Sequence, residues 1–236
     1  ISLEQNLIEQ ERATREMIKG LSHEIKNPLG GILGAAQILE KSLDPSYIKF
    51  TEIIKKETGR LVNLLNDMAL PATSIEKSFI NLHEATEHVV DLFKFDLKNK
   101  DIVFHKDYDP SIPEVSTNKE QLIQALINLV RNAIQAIEYK GTITIRTRSE
   151  STYTIGNQKF PLVAKIDVID NGPGIPEEKL KEIFYPMVTT KSEGMGLGLT
   201  IAQSIIMQNS GLIECSSKHR KTIFTVVLPI KGSHNE

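Results

Sequence analysis

KEQLIQALINLVRNAIQAIEYKGTITIRTR, residues 119–148, decides the fold of the larger part of the chain. From Lys119 to Tyr139 it reads as a strongly apolar helix. From Gly141 to Arg148 the period drops to two, with Ile143 and Ile145 alternating against Thr142 and Thr144 as in a strand. Downstream, Phe160 to Ile169 reads as a second strand, and the 151–159 segment between them, with Gly156-Asn157, as a hairpin turn. A Gly-rich loop then leads to a helix over Gly198 to Asn209 and to strands at Leu212 to Ser217 and Thr222 to Pro229. Upstream, Ile80 to Asn99 reads as a helix and Asp101 to Tyr108 as a strand. Helices interleaved with antiparallel-looking strands predict a two-layer α/β sandwich.

Farther upstream the texture changes. Leu3, Leu7, Met17, Leu21, Ile25, Ile32, Leu39 and Leu43 recur at spacings of four, seven and ten residues, as on one face of a long amphipathic helix. Asp44-Pro45 interrupts it, with Asp44 as N-cap and Pro45 in the first turn of a second helix. Tyr47, Ile54, Leu61 and Met68 stand seven apart on that second helix. One narrow hairpin cannot bury such stripes, so two copies are expected to pair into a four-helix bundle, making the protein a homodimer. Leu70-Pro71-Ala72-Thr73-Ser74 breaks the periodicity, which places the domain boundary there: 1–73 for the hairpin and 74–236 for the sandwich, an α+β chain overall.

Composition narrows the function. With 236 residues, 40% hydrophobic and 25% charged, the chain can build real cores, and a formal net charge of -2 offers nothing to nucleic acid or anionic lipid. A single cysteine, Cys215, excludes an intrachain disulfide framework. No apolar stretch reaches bilayer length, so no membrane contact and a cytoplasmic location are expected. The sequence starts at Ile1, already in helical pattern, and is expected to continue upstream in the natural protein.

Four constellations carry chemistry. In His23-Glu24-Ile25-Lys26-Asn27-Pro28, helical spacing puts His23 and Asn27 on one face with Glu24 beside them. A neutral imidazole is a competent nucleophile, and a carboxylate accepting the proton of one ring nitrogen leaves the other as a lone pair. Asn27 could orient a water, and Pro28 should kink or loosen the helix, at a cost of about 3 kcal/mol. Asn128 and Asn132 are amides four apart on an apolar helix, with Arg131 between them near phosphates or solvent. Amides so placed need partners, and magnesium with a nucleotide would serve, Asn128 offering a hard oxygen. Asp170-Asn171-Gly172-Pro173-Gly174 follows an apolar strand. Its carboxylate can accept from the amine of adenine, and Gly172 and Gly174 let backbone pass near a flat ring. Gly194-Met195-Gly196-Leu197-Gly198, preceded by Lys191 and followed by a helix, has the composition of a phosphate loop, though neither a dinucleotide fingerprint nor a Walker loop.

Taken together these elements resemble the sensor histidine kinase family throughout the chain. His-Glu-x-x-Asn-Pro, Asn-x-x-x-Asn, Asp-x-Gly-x-Gly, Phe184-x-Pro186 and Gly-x-Gly-x-Gly-Leu match its H, N, G1, F and G2 boxes. LSHEIKNPLGGILGAAQ (21–37), Arg131-Asn132-Ala133 and FYPMV (184–188) are similar to the nitrogen-regulation subfamily called NtrB. Met195 departs from the small residue usual there. The resemblance implies a Bergerat (GHKL) ATP-binding domain, ATP with Mg2+ as cofactor, phosphorylation of His23, and a response regulator receiver domain (NtrC-like) as acceptor. It also implies phosphatase activity and a PII-type regulator. Two competing readings are an ATP hydrolase on the same nucleotide fold, which would carry Glu where Asn128 stands, and a silent nucleotide-binding dimer.

Overall fold

A computed structural model describes residues 24–68, 76–94, 97, 100–185, 188, 196–218 and 220–230. His23, Lys191 and Gly194 lie outside the described residues, as do the segment 70–74 and the heptad positions before residue 24. The chain divides into two compact units, Ile1–Thr73 and Ser74–Glu236.

The first unit is a helical hairpin. Helix α1 occupies residues 24–40 and runs through Pro28 without ending there. Helix α2 is Pro45–Met68. Asp44 starts α2: its carboxylate accepts from the Ser46 N–H at 2.9 Å and the Ser46 hydroxyl at 2.7 Å, which hold it below the usual carboxylate range. Lys55 pairs with Glu40 at 2.6 Å to tie the two helices. Among the described residues the buried positions are Leu29 and Ala36 on α1 and Thr51 and Thr58 on α2. Ile25, Ile32 and Leu39, each seven apart, stay exposed, as do Tyr47, Ile54 and Leu61. Apolar stripes left open at heptad spacing are the half-interface a second copy would cover.

The second unit has two layers. A short strand β1 (Ser78–Ile80) pairs antiparallel with β3 (Val115–Thr117). The main sheet joins β2 (Asp101–Asp107), β4 (Lys140–Ile155), β5 (Gln158–Asp170), β6 (Leu212–Lys218) and β7 (Lys221–Pro229) in the order β2-β4-β5-β7-β6. Three expectations change here. The sheet is mixed, because β2 runs parallel to β4 while the other pairs are antiparallel. The 151–159 segment is mostly strand, and only Gly156 and Asn157 turn, with Gly156 at φ +58°. Ile80 ends a strand instead of opening a helix, since the Asn81 side chain accepts from the His83 N–H at 2.9 Å and starts α3 at Leu82 (Leu82–Lys94).

Helix α4 (Lys119–Ala136) sits between α3 and α5 (Gly198–Gln208) and packs on the sheet. Asn118 caps its start by accepting from the Gln121 N–H, and Lys100 closes its end, donating to the carbonyls of Ile134 and Ile137 at 3.0 and 2.5 Å. Leu122, Leu126 and Leu129 of α4 are fully buried with Val89, Ile205, Ile166 and Leu228 from the surrounding elements. Each such burial contributes about 1.5–3 kcal/mol.

The sheet's other face carries its own devices. Asp167 accepts twice from Arg146, at 2.9 and 2.7 Å, and once from the Thr225 hydroxyl at 2.7 Å, stapling β4, β5 and β7 together. Between the Ser151↔Leu162 and Tyr153↔Phe160 pairs, Thr152 takes φ +58° opposite Pro161, which has no N–H to give. Across that break Phe160 and Val163 pack with Val227, with Tyr153, Ile155 and Leu212 around them.

Candidate nucleotide site

The described site residues of the second unit gather along α4, whose two ends of interest serve different chemistry. At one end Asp170 closes β5, buried to 2% exposure, and its Oδ1 accepts from the Gly172 N–H at 2.9 Å. Gly172 is glycine for lack of room: a Cβ there would stand 2.8 Å from Asp170 Oδ1 and 3.2 Å from the Ala136 Cβ. Gly174, at φ +89°, turns the chain against β6, where the Ser217 hydroxyl accepts from the Ile175 N–H at 2.8 Å. Asn171 points the other way, its side-chain oxygen accepting from the Thr142 N–H at 2.8 Å, so it extends the sheet.

Two residues the sequence reading missed stand here. Thr222 of β7 is the register partner of Asp170 and is buried, and its hydroxyl lies 3.2 Å from that of Ser217. Nothing in a Thr-rich strand marks Thr222 until the strands are paired. Cys215 is the third side chain near Asp170. Burial first, and then the Asp170 carboxylate, push its thiol up to about 12. Because the shift is upward, the reactive thiolate at pH 8 is depleted by about three orders of magnitude relative to an ordinary thiol. Iodoacetamide should therefore label Cys215 rapidly in urea and very slowly in the native chain at pH 8, as read by mass spectrometry; equal rates would contradict the burial.

At the other end Asn128 projects from α4 toward the start of α5. A Cβ on Gly198 would stand 3.9 Å from the Asn128 Cγ and Oδ1. The Asn128 Nδ2 is buried and has no hydrogen-bond partner, an omission that costs about 1–3 kcal/mol unless something else fills it. Leu197, the N-cap residue of α5, gives no side-chain cap, and the first N–H groups of a helix, which have no acceptor within it, suit an anion. Gly196 precedes it at φ +66°. Asn132, four residues after Asn128, is half-buried and Arg131 is exposed. From Asn128 to Ala136 is eight residues of helix, about 12 Å, which sets the two ends apart on the scale of a nucleotide. The arrangement can hold a ligand with a flat, amine-bearing ring at one end and an anion at the other. A divalent cation fits the anion end, where the Asn128 amide oxygen is the hard donor; among the described residues no group of three His, Cys, Asp or Glu side chains could hold a metal by itself.

In the first unit Glu24 and Asn27 are both exposed on α1. Among the described residues no helix is long and apolar enough to cross a membrane.

Comparison with known proteins agrees with this division of labour. Residues 13–73 match the His Kinase A (phospho-acceptor) domain, and residues 117–232 match the histidine kinase-, DNA gyrase B- and HSP90-like ATPase family. The chain is 43% identical over 233 residues to the sensory histidine kinase/phosphatase NtrB of Proteus hauseri, covering 98% of this chain and 67% of that protein. It is 36% identical to the protein of the same description from Rhizobium meliloti, covering 92% of this chain and 59% of that one. It thus spans about two thirds of the length of its curated relatives. Among solved structures, the histidine kinase ThkA in complex with the response regulator protein TrrA is 30% identical, with a TM-score of 0.63 over all of this chain and 69% of that one. On these grounds the chain belongs to the sensor histidine kinases, and within them to the NtrB group of kinase/phosphatases.

Proposed function

We propose that this chain is the kinase core that phosphorylates its own His23 from Mg-ATP, passes the phosphoryl group to an aspartate of an NtrC-like response regulator, and removes it again. The observation that carries the reading is the buried, unpartnered Asn128 Nδ2 set against Gly198, where Leu197 gives α5 no side-chain cap. A polar group is left wanting a partner where the family's phosphate end would be.

Asp170 accepts from the adenine amine with Thr222 and Gly172 beside the ring, and Asn132 lies toward the phosphates. Gly174, Gly194, Gly196 and Gly198 let backbone approach the nucleotide, and Arg131 and Lys191 supply positive charge from the rim. The Asn128 amide oxygen would hold Mg2+, which when bound would neutralise charge on the phosphate oxygens. The neutral His23 ring attacks the γ-phosphorus, ADP leaves, and Glu24 takes the proton from the other ring nitrogen. The phosphoramidate so formed is reactive enough to hand its phosphoryl group to a carboxylate. The open heptad stripes of α1 and α2 support a homodimer as the working unit. A PII-type protein acting on the balance of the two activities follows from the relatives alone.

Incubation with γ-labelled ATP and Mg2+ tests the whole. Label that stays with the protein in alkali, is lost in acid, and moves to an added receiver domain supports it. Free phosphate with no label on protein would favour the hydrolase. Asn27 has a separate prediction: Asn27→Ala should slow dephosphorylation of the regulator by about tenfold or more by losing the amide that orients water, while self-phosphorylation stays within about twofold. Equal loss of both activities would remove that role.

A further inference from the structure

Asp170 and Thr222 stand at one end of the nucleotide site, Asn128 and Gly198 at the other, and one residue outside both sets is fastened to each. Phe184 lays its ring edge-on against Phe224, with centroids 6.4 Å apart and planes at 89°. Phe224 is two residues from Thr222 on the same face of β7, and Thr222 is in register with Asp170. The Phe184 backbone carbonyl, in turn, accepts from the Thr200 hydroxyl at 3.0 Å. Thr200 is the third residue of α5, within the turn whose N–H groups have no helical acceptor. A single residue therefore joins the strand that carries the base end to the helix turn that faces the anion, and the only polar fastener on the helix side is the Thr200 hydroxyl among the bonds described for Phe184.

We infer that Thr200 is a positioning residue for phosphoryl transfer: by holding Phe184 it sets where the first turn of α5 stands relative to the base-binding strand. The inference rests on the nucleotide reading above. Valine keeps the β-branched shape of threonine and removes only the hydroxyl's bonding, so a hydroxyl that held nothing in place would tolerate the change. A residue that aims the α5 N–H groups would not, and its loss would be felt by phosphates and not by the base.

The test is calorimetric titration of the full chain and its Thr200→Val, Thr200→Ala and Thr200→Ser variants with ATP, ADP and adenosine, Mg2+ present. Thr200→Val should bind ATP and ADP about 3- to 10-fold more weakly and adenosine as the parent does. Thr200→Ala, which needs no extra space, should match it should the valine variant fold poorly, and Thr200→Ser should restore both affinities. Unchanged ATP binding in the valine and alanine variants, adenosine weakened as much as ATP, or no rescue by serine would each overturn the role of Thr200. Failure of the parent chain to bind ATP at all would overturn the nucleotide reading instead.

Discussion

His23→Gln leaves no phosphoryl label on the protein. The variant keeps a side chain of similar length that can hydrogen-bond, but it has no ring nitrogen whose lone pair can attack phosphorus. Incorporation from γ-labelled ATP should fall by about a thousandfold or more, the scale on which removing a covalent nucleophile acts. ATP affinity should be unchanged, because every residue proposed to hold the nucleotide lies in the other compact unit. The two readings together separate loss of the acceptor from loss of the fold. Label retained on His23→Gln would mean that another group accepts the phosphoryl group, and the mechanism proposed here would fail at its first step.

Asp170→Asn should have the largest effect on binding. The buried carboxylate accepts from the Gly172 N–H, and a carboxylate, with lone pairs on both oxygens, is an acceptor that an adenine amine would use. An amide is uncharged and offers an N–H₂ group where an acceptor is wanted. A hydrogen bond to a charged group contributes about 1.5–3 kcal/mol, so ATP affinity should drop about 10- to 100-fold. Discrimination between ATP and GTP should narrow as well, since the carboxylate that repels a guanine carbonyl is gone. Unchanged affinity by calorimetry would place the base elsewhere.

Much of this was legible in the sequence because the deciding segments are long and periodic. Helix α4 and the alternating start of β4 were read from residues 119–148 with little error, and Asp44-Pro45 announced the second helix through local capping chemistry. Strands β1 and β3 were missed because three residues such as Ser78-Phe79-Ile80 have no period of their own and become strand only by pairing with each other. The parallel sense of β2 against β4 was out of reach for a different reason: alternation reports which face a residue occupies, and the direction of a neighbouring strand is settled by the connection. The site follows the same division. Asp170, Gly172 and Gly174 sit in one short motif and could be picked out, whereas Thr222 and Thr200 act through partners 52 and 16 residues away in sequence and look like ordinary threonines until the chain is folded.

The mixed sheet bears on how the molecule assembles. Strands β4 and β5 are joined by two residues, so their pairing closes almost no loop and can form early. Strand β2 reaches β4 only after β3 and the whole of α4 have been drawn round as a crossover, and the entropy of that closure is spent before any contact repays it. Since Asn128 and Asn132 lie on the crossover itself, the proposed anion end of the site belongs to the slow, non-local stage of folding, and a chain trapped short of it would carry a finished hairpin and half a place for a nucleotide.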